Sequence, residues 1–269
     1  MTGARNWMAN LMLRLPASVR SFRSVPLLGN FLHTLSYRVL SSDQKVWAQV
    51  EAGYARGIWL ELNPRTGQNY RLGETEKICQ AILVERLRTG DIFYDLGANL
   101  GFFSLLAARI VGPTGKVFSF EPDAQIVERL RRNAARNRLS NIVTVEMGVW
   151  STTGSLNFVS SDSSSPDRGV GTFLPNDSSP VGIPTRCISL DDFIQDAPAP
   201  RAIKCDVEGA EIEVFRGAES LLRSHHPWIL CELHSQAKDL AWRELIGGFG
   251  YSCESVDSNH VLALPRMEI

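Results

Sequence analysis

The chain of 269 residues has no apolar run approaching the roughly 20 residues that a membrane-crossing helix needs. It has no excess of either charge sign: 28 basic against 29 acidic side chains leave a formal net charge of −1. Nothing global therefore draws it to nucleic acid or to an anionic membrane. Its five cysteines, Cys79, Cys187, Cys205, Cys231 and Cys253, show neither metal-site pairing nor a disulfide framework. A reducing cytoplasm is the natural inference. At 44% hydrophobic residues the chain can still bury a full-sized core.

One local absence is as informative. No acid precedes Asp43, while Arg5, Arg14, Arg20, Arg23 and Arg38 all do. Trp7, Met8, Leu11, Met12 and Leu15 recur at helical spacing until Pro16, and Leu27, Leu28, Phe31, Leu32, Leu35, Val39 and Leu40 form a second stripe. Residues 1–45 thus read as a helical extension ahead of a domain at 46–269. The stripes suit a pair of helices packed on that domain or on a second subunit, giving a homo-oligomer. A basic interfacial helix giving peripheral membrane contact through residues 1–42, or an organelle-targeting segment, are the competing readings.

Residues 46–90 read as a hairpin and a helix leading into a core at 91–269. β-like runs at 57–62 and 68–72 flank the turn residues Asn63, Pro64 and Gly67. A helix over residues 74–89 then turns Ile78, Ala81, Ile82 and Leu87 inward. Glu74 at its start is placed to touch a ligand, or simply to cap the helix.

The chemistry begins at DLGANLGFFSL, residues 95–105, directly after the apolar Ile92, Phe93 and Tyr94. An apolar run ending in an acid, a glycine-rich turn and a helical pattern form the first strand–loop–helix of a doubly wound α/β sheet. Gly97 and Gly101 allow tight turns and close approach, and Asn99 is a residue type that tolerates positive φ. Asp95 would repel a pyrophosphate and suits a cationic ligand, which favours S-adenosylmethionine over NAD. The chain also lacks a Tyr and Lys pair with the spacing of a redox site. Phe102 opens the helix beside the same loop. A second strand, residues 116–120, ends in Glu121-Pro122, where a carboxylate can accept both ribose hydroxyls of an adenosine. The bland alternative for Glu121 is a solvated acid at a helix start. Asp123 suits the first turn of the next helix, whose buried stripe is Ile126, Val127, Leu130 and Ala134. Arg129, Arg131, Arg132, Arg136 and Arg138 fall largely outside that stripe, on a solvated face. A third strand at 142–145 exits at Glu146, Met147 and Gly148, facing the adenine in folds of this kind.

Residues 160–182 are rich in serine, proline, glycine and aspartate, and read either as a gating insertion or as plain disorder. Strands at 202–206 and 228–231 follow, with Asp206, Glu208, Glu232 and His234 at their exits. Alternation puts Asp206 with Glu208, and Glu232 with His234. His234 reads as the only histidine at a strand tip, and therefore as the candidate base. Lys204, Asp206, Glu232 and His234 make up the expected catalytic set. A lesser alternative is Mg²⁺ on Asp206, Glu208 and Glu232. Residues 251–256 and 260–264 read as a closing antiparallel hairpin around Asp257, Ser258 and Asn259.

DLGANLGFFSL, FSFEPD ending at residue 123, IKCDVEGAE at 203–211 and PWILCELH at 227–234 together resemble the FkbM-type methyltransferases. The resemblance runs from about Glu74 to the C-terminus. It implies a Rossmann-like class I methyltransferase fold, a mostly parallel doubly wound sheet ending in an antiparallel hairpin. It also implies S-adenosylmethionine as cofactor and usually O-methylation of sugars, glycolipids or polyketide products. The expected cofactor-binding set is Glu74, Asp95, Gly97, Asn99, Gly101, Phe102, Glu121, Pro122, Glu146 and Asp206. Two functional classes stay open on these residues. One is a methyltransferase acting on a small-molecule, glycan or lipid hydroxyl; the other is a non-catalytic scaffold that keeps the fold.

Overall fold

A computed structural model describes residues 45–64, 66–160, 171–174, 182–233 and 235–266. The expected N-terminal helices, with their membrane and targeting alternatives, fall outside these residues, as does His234. Among the described residues no helix is long and apolar enough to cross a membrane. The chain divides into two compact units, one running through Thr75 and the other starting at Glu76.

In the first unit, β1 (Val46–Gln49) pairs antiparallel with β2 (Trp59–Leu62), in the register Val46 to Leu62 and Gln49 to Trp59. The loop between them is closed by Val50 N–H to Ile58 C=O at 2.8 Å, with Ala55 and Ile58 buried inside it. The expected hairpin over 57–72 is therefore displaced. Residues 68–72 form helix α1 (Gln68–Leu72), not a strand. Gln, Arg and Leu are good helix formers, and Gly73 in the left-handed region closes the turn onto Tyr70. The buried Arg71 on this helix pairs with Glu51.

The second unit is built on a seven-stranded sheet of order β12-β13-β11-β10-β3-β4-β5. The central strands β3 (Ile92–Leu96), β4 (Lys116–Phe120), β5 (Ile142–Val145), β10 (Ala202–Cys205) and β11 (Trp228–Glu232) run parallel. β12 (Tyr251–Ser255) and β13 (His260–Pro265) add the antiparallel hairpin on the β11 side. This is the Rossmann-like class I methyltransferase topology expected from sequence. From β3 the chain builds outward through β4 and β5, then returns to place β10 on the other flank. The order reverses between β3 and β10, and a crevice opens at their carboxyl ends.

Helices cover the sheet: α2 (Lys77–Arg86), α3 (Phe102–Val111), α4 (Ala124–Arg136), α5 (Leu190–Phe193), α6 (Glu211–Arg216), α7 (Glu219–His225) and α8 (Gln236–Gly248). α2 is shorter than expected and turned by about one residue. It buries Cys79, Gln80 and Leu83, and leaves Ile78 exposed. α3 is buried along almost its whole length, because it packs against β3, β4 and β5 on one side and α2 on another. α4 starts at Asp123, whose carboxylate accepts the Gln125 N–H at 2.8 Å and the Ile126 N–H at 3.3 Å. Arg129 departs from the expected solvated face and is fully buried. Beneath the helices, Tyr94, Phe118 and Phe120 each meet Phe193 edge to face, Tyr94 also meets Phe118 edge to face and lies tilted on Phe120, and Trp242 packs against Phe215.

A smaller sheet of order β6-β9-β7-β8 holds β6 (Gly148–Val149), β7 (Gly154–Ser160), β8 (Gly171–Leu174) and β9 (Ile183–Ile188). β8 lies inside the polar stretch and corrects, for these four residues, the alternative of plain disorder. Its residues are Gly, Thr, Phe and Leu, of which Thr and Phe are favourable on a pleated surface, and they pair with β7.

Candidate active site

Two loops meet at the carboxyl edge of β3 and β10. In the first, Gly97 (φ 76°), Asn99 (φ 49°) and Gly101 (φ 89°) all take the left-handed conformation, so the chain turns three times in five residues. A side chain at Gly97 would put Cβ only 1.9 Å from the Asp206 carbonyl oxygen. The close approach that requires glycine here is thus to the second loop, not only to a ligand. At Gly101 the added Cβ would meet Leu130 on α4 at 2.8 Å, so that glycine serves helix packing. The second loop follows β10. Glu208 (φ 51°) and Gly209 (φ 102°) reverse the chain. Glu211 then accepts the Gly209 N–H at 2.7 Å, and Lys238 on α8 donates to the Gly209 carbonyl at 3.0 Å.

Between the loops lies a pocket lined by Gly97, Asn99, Glu121, Met147, Val149 and Asp206, with Phe120, Pro122, Gly148, Phe158, Val207 and Glu208 completing it. Glu121, 3% exposed, sits at its β4 side. Its carboxylate accepts the Asn99 N–H at 3.0 Å and the Asp123 N–H at 3.1 Å. Burial outweighs these donors and the nearby carboxylates add to it, so its pKa is pushed up to about 8. A buried acid aimed into a pocket between a turned-back glycine loop and apolar walls fits an adenosine: hydroxyls for the acid, a flat base for the walls. The residues therefore fit S-adenosylmethionine.

Several expected positions fall elsewhere. Asp95 is fully buried and accepts the Ser104 hydroxyl at 2.5 Å, which in turn accepts from Ser119 at 2.7 Å. Burial raises its pKa. Phe102 is packed against Phe103. Glu146 is exposed and faces Arg131 at 3.4 Å, while the next residue, Met147, lines the pocket. β5 ends at Val145 as expected, and of the exit residues Glu146, Met147 and Gly148 the last two line the pocket while Glu146 turns outward. Glu74 is exposed and belongs to the first unit. The acid that joins the site from this stretch is Glu76, the residue that precedes α2. Phe158, from β7 of the small sheet, also escaped the sequence reading; its period-2 run of alternating residues is the one signal for it.

Behind Asp206 lies a cluster of buried charges. Lys204, 3% exposed, holds its Nζ 3.5 Å from Asp206 Oδ2 and 3.7 Å from Glu76 Oε2, over the Phe103 ring at 4.5 Å. Burial works against its charge, but Asp206, Glu76 and Asp95 win and raise its pKa well above the ordinary lysine value. Glu76 is correspondingly lowered: Lys204 and then His260 overcome the effect of burial. Asp206 goes the other way. Burial lifts it to about 7, with Glu232, Glu76 and Glu208 adding to the push and Lys204 opposing. Glu208 does not share this cluster as expected, because left-handed backbone at Glu208 ends the strand alternation; the close group of carboxylates is Glu76, Asp206 and Glu232.

The histidine brought to the cluster is His260. It opens β13, and because β13 runs antiparallel its first residue lies beside Glu232, the last of β11. The reading of His234 as the only strand-tip histidine is corrected on that ground. His260 Nε2 stands 3.3 Å from Glu76 and 3.6 Å from Glu232, and Nδ1 stands 2.9 Å from Asp257. Burial opposes its charge, but Cys79, Glu232 and Glu76 outweigh it and raise its pKa. The oxygen donors of Glu76, Asp206 and Glu232 would suit Mg²⁺ by type. An ammonium already lies against two of them, with the His260 imidazole against Glu76 and Glu232, which does not leave a place that fits the dication.

The model of the methyltransferase FkbM domain matches residues 95–253, more than half of the chain. The chain belongs to the FkbM methyltransferase family. The matched span runs from the acid before the glycine loop to β12, and so takes in both loops of the pocket. Among relatives of this FkbM chain, the hexuronic acid methyltransferase AglP of Haloferax volcanii is 30% identical over 156 residues, 57% of this chain and 60% of that protein. The 31-O-demethyl-FK506 methyltransferase FkbM of Streptomyces tacrolimicus is 34% identical over 89 residues, 30% of this chain and 34% of that protein. The chain thus spans less than two thirds of either relative. The solved FkbM methyltransferase of Methylobacillus flagellatus aligns over 72% of this chain and 46% of its own, at 20% identity and a TM-score of 0.49.

Proposed function

We propose that the chain transfers a methyl group from S-adenosylmethionine to a hydroxyl oxygen, on a sugar, a glycolipid or another natural product. The observation that carries this reading is one pocket with Glu121 on one wall and Asp206 on the other, separated by the Gly97 turn. The relatives named for hexuronic acid and demethyl-FK506 support the choice of acceptor class. Bound there, S-adenosylmethionine supplies an electrophilic sulfonium methyl. Glu121 accepts the ribose hydroxyls, Met147, Val149 and Phe158 enclose the base, and Gly97 and Asn99 keep the turn clear of side chains.

The acceptor hydroxyl must be held in line and must lose its proton. Holding it supplies much of the acceleration. Asp206 accepts the proton: it lies in the pocket, and a carboxyl with a pKa of about 7 is a base matched to neutral pH. Lys204 and Glu232 fix its position and its charge. His234, two residues beyond Glu232 in the sequence, is the alternative base, and the two are separable by variants. The test is calorimetry with S-adenosylmethionine and with NAD, then labelled-methyl transfer to uronic acids and macrolide alcohols. Saturable binding of the first ligand alone, with label on oxygen, is expected. Failure to bind S-adenosylmethionine would overturn the reading.

A further inference from the structure

Three carboxylates, those of Glu76, Asp206 and Glu232, bring an oxygen each to within 4.8 Å of one another. Like charges so close cannot all be ionised without a cation. Many sites solve this with a divalent metal on hard oxygen ligands. Here the chain brings its own cation. Lys204 projects from β10, the strand next to β3 at the centre of the sheet, and its in-register neighbour on β3 is Asp95. Its Nζ reaches two of the three carboxylates, at 3.5 Å (Asp206) and 3.7 Å (Glu76). The third, Glu232, faces His260 at 3.6 Å, and His260 also faces Glu76 at 3.3 Å. Asp257 grips the other imidazole nitrogen at 2.9 Å.

We propose that the Lys204 ammonium is a built-in counterion standing where a divalent metal would otherwise sit, so that the acidic end of this site works without a metal. Four features support it. The ammonium is 3% exposed, so water does not compensate it. Its stem starts on a central strand and its head lies over the Phe103 ring, which fixes its place. Two of its carboxylate partners come from different elements, the residue before α2 and the exit of β10, so it ties them together. His260, contributed by the hairpin at the end of the sheet, shares the counter-charge on the Glu232 side. Exchanging a metal for an ammonium also changes the chemistry. A metal would bind the acceptor oxygen and acidify it, whereas Lys204 only holds Asp206 and Glu76, so the proton must go to a side-chain base.

The functional part rests on the methyl-transfer reading, but the cation assignment is tested without any acceptor. The full chain is titrated with Mn²⁺, read by electron paramagnetic resonance and calorimetry. The wild type should show no site tighter than nonspecific surface binding. Lys204→Met removes the charge at similar volume and should create a single Mn²⁺ site, tighter than any in the wild type by about tenfold or more, because Asp206 and Glu76 then lose the ammonium they share. Adding Glu76→Gln should abolish the new site, and Lys204→Arg should not create one. A specific Mn²⁺ site in the wild type would overturn the proposal even if every Lys204 variant failed to fold. So would a folded Lys204→Met protein that binds no Mn²⁺. If S-adenosylmethionine fails to bind while these metal results hold, the methyl-transfer reading falls and the counterion assignment stands.

Discussion

Two acids flank the Gly97 turn, and they are stabilised in opposite ways. Glu121 has backbone N–H groups and, among the described residues, no cation against it, so burial dominates and lifts its pKa to about 8. Asp206 has Lys204 beside it and three further carboxylates near by, and burial with those acids lifts it to about 7. Glu121 is left for the hydroxyl donors of a ligand to complete. Asp206 has its partner built in, and keeps a pKa suited to taking a proton. On the proposed function, one corner serves binding and the other chemistry.

Substitution at Asp206 is the sharpest way to break this division. Asp206→Asn should lower turnover by roughly 10²-fold or more, with little change in S-adenosylmethionine affinity. The wild-type rate should rise with pH through about 7, because the base must be ionised to accept a proton, and the rise should vanish in the variant. If His234→Ala abolishes the rise instead, the base is His234. Glu121→Ala should do the converse, weakening S-adenosylmethionine binding by about 1–3 kcal/mol in calorimetry while acting on turnover only through saturation. Lys238→Ala should be milder. It removes the donor to the Gly209 carbonyl, and a severalfold lower kcat at unchanged cofactor affinity is expected, since small displacements near a reacting group are costly.

The smallest effect separates the two acids without any ligand. The Glu121 pKa is raised on folding, so the stability it contributes is fully present below about pH 4.5 and is lost as pH rises towards 8. Glu121→Gln, which mimics the protonated form, should therefore match the wild type near pH 5 and exceed it near pH 8.5. A gain of roughly 1–2 kcal/mol, a few degrees in melting temperature, is the expected size. Equal melting curves at both pH values would mean that the buried carboxylate costs nothing.

Local signals carried most of the fold. The glycine loop, the exits of β4 and β10 and the closing hairpin are each written in short, strongly patterned segments, and Asn99 does take the positive φ its residue type allows. What escaped reading depends on contacts distant in sequence. Glu76 and His260 lie 184 positions apart and meet only because β13 runs back along β11. Arg129 carries a charge, and residue type alone places it on the solvated face, yet packing buries it. Gln68–Leu72 holds too few residues for its periodicity to separate strand from helix, and the following Gly73 decided the matter.

The contact between Gly97 and the Asp206 carbonyl makes one working part of two stretches far apart along the chain. A loop that grips a cofactor and a loop that performs a reaction are often free to drift independently as a family diversifies. Here neither can shift without the other, and the second is fastened again from behind by Lys238. Variation in what is methylated must then be absorbed at the margins: in the small sheet that supplies Phe158, and in the turn that carries Asp257. An engineer seeking a new acceptor would do well to leave both loops alone and start there.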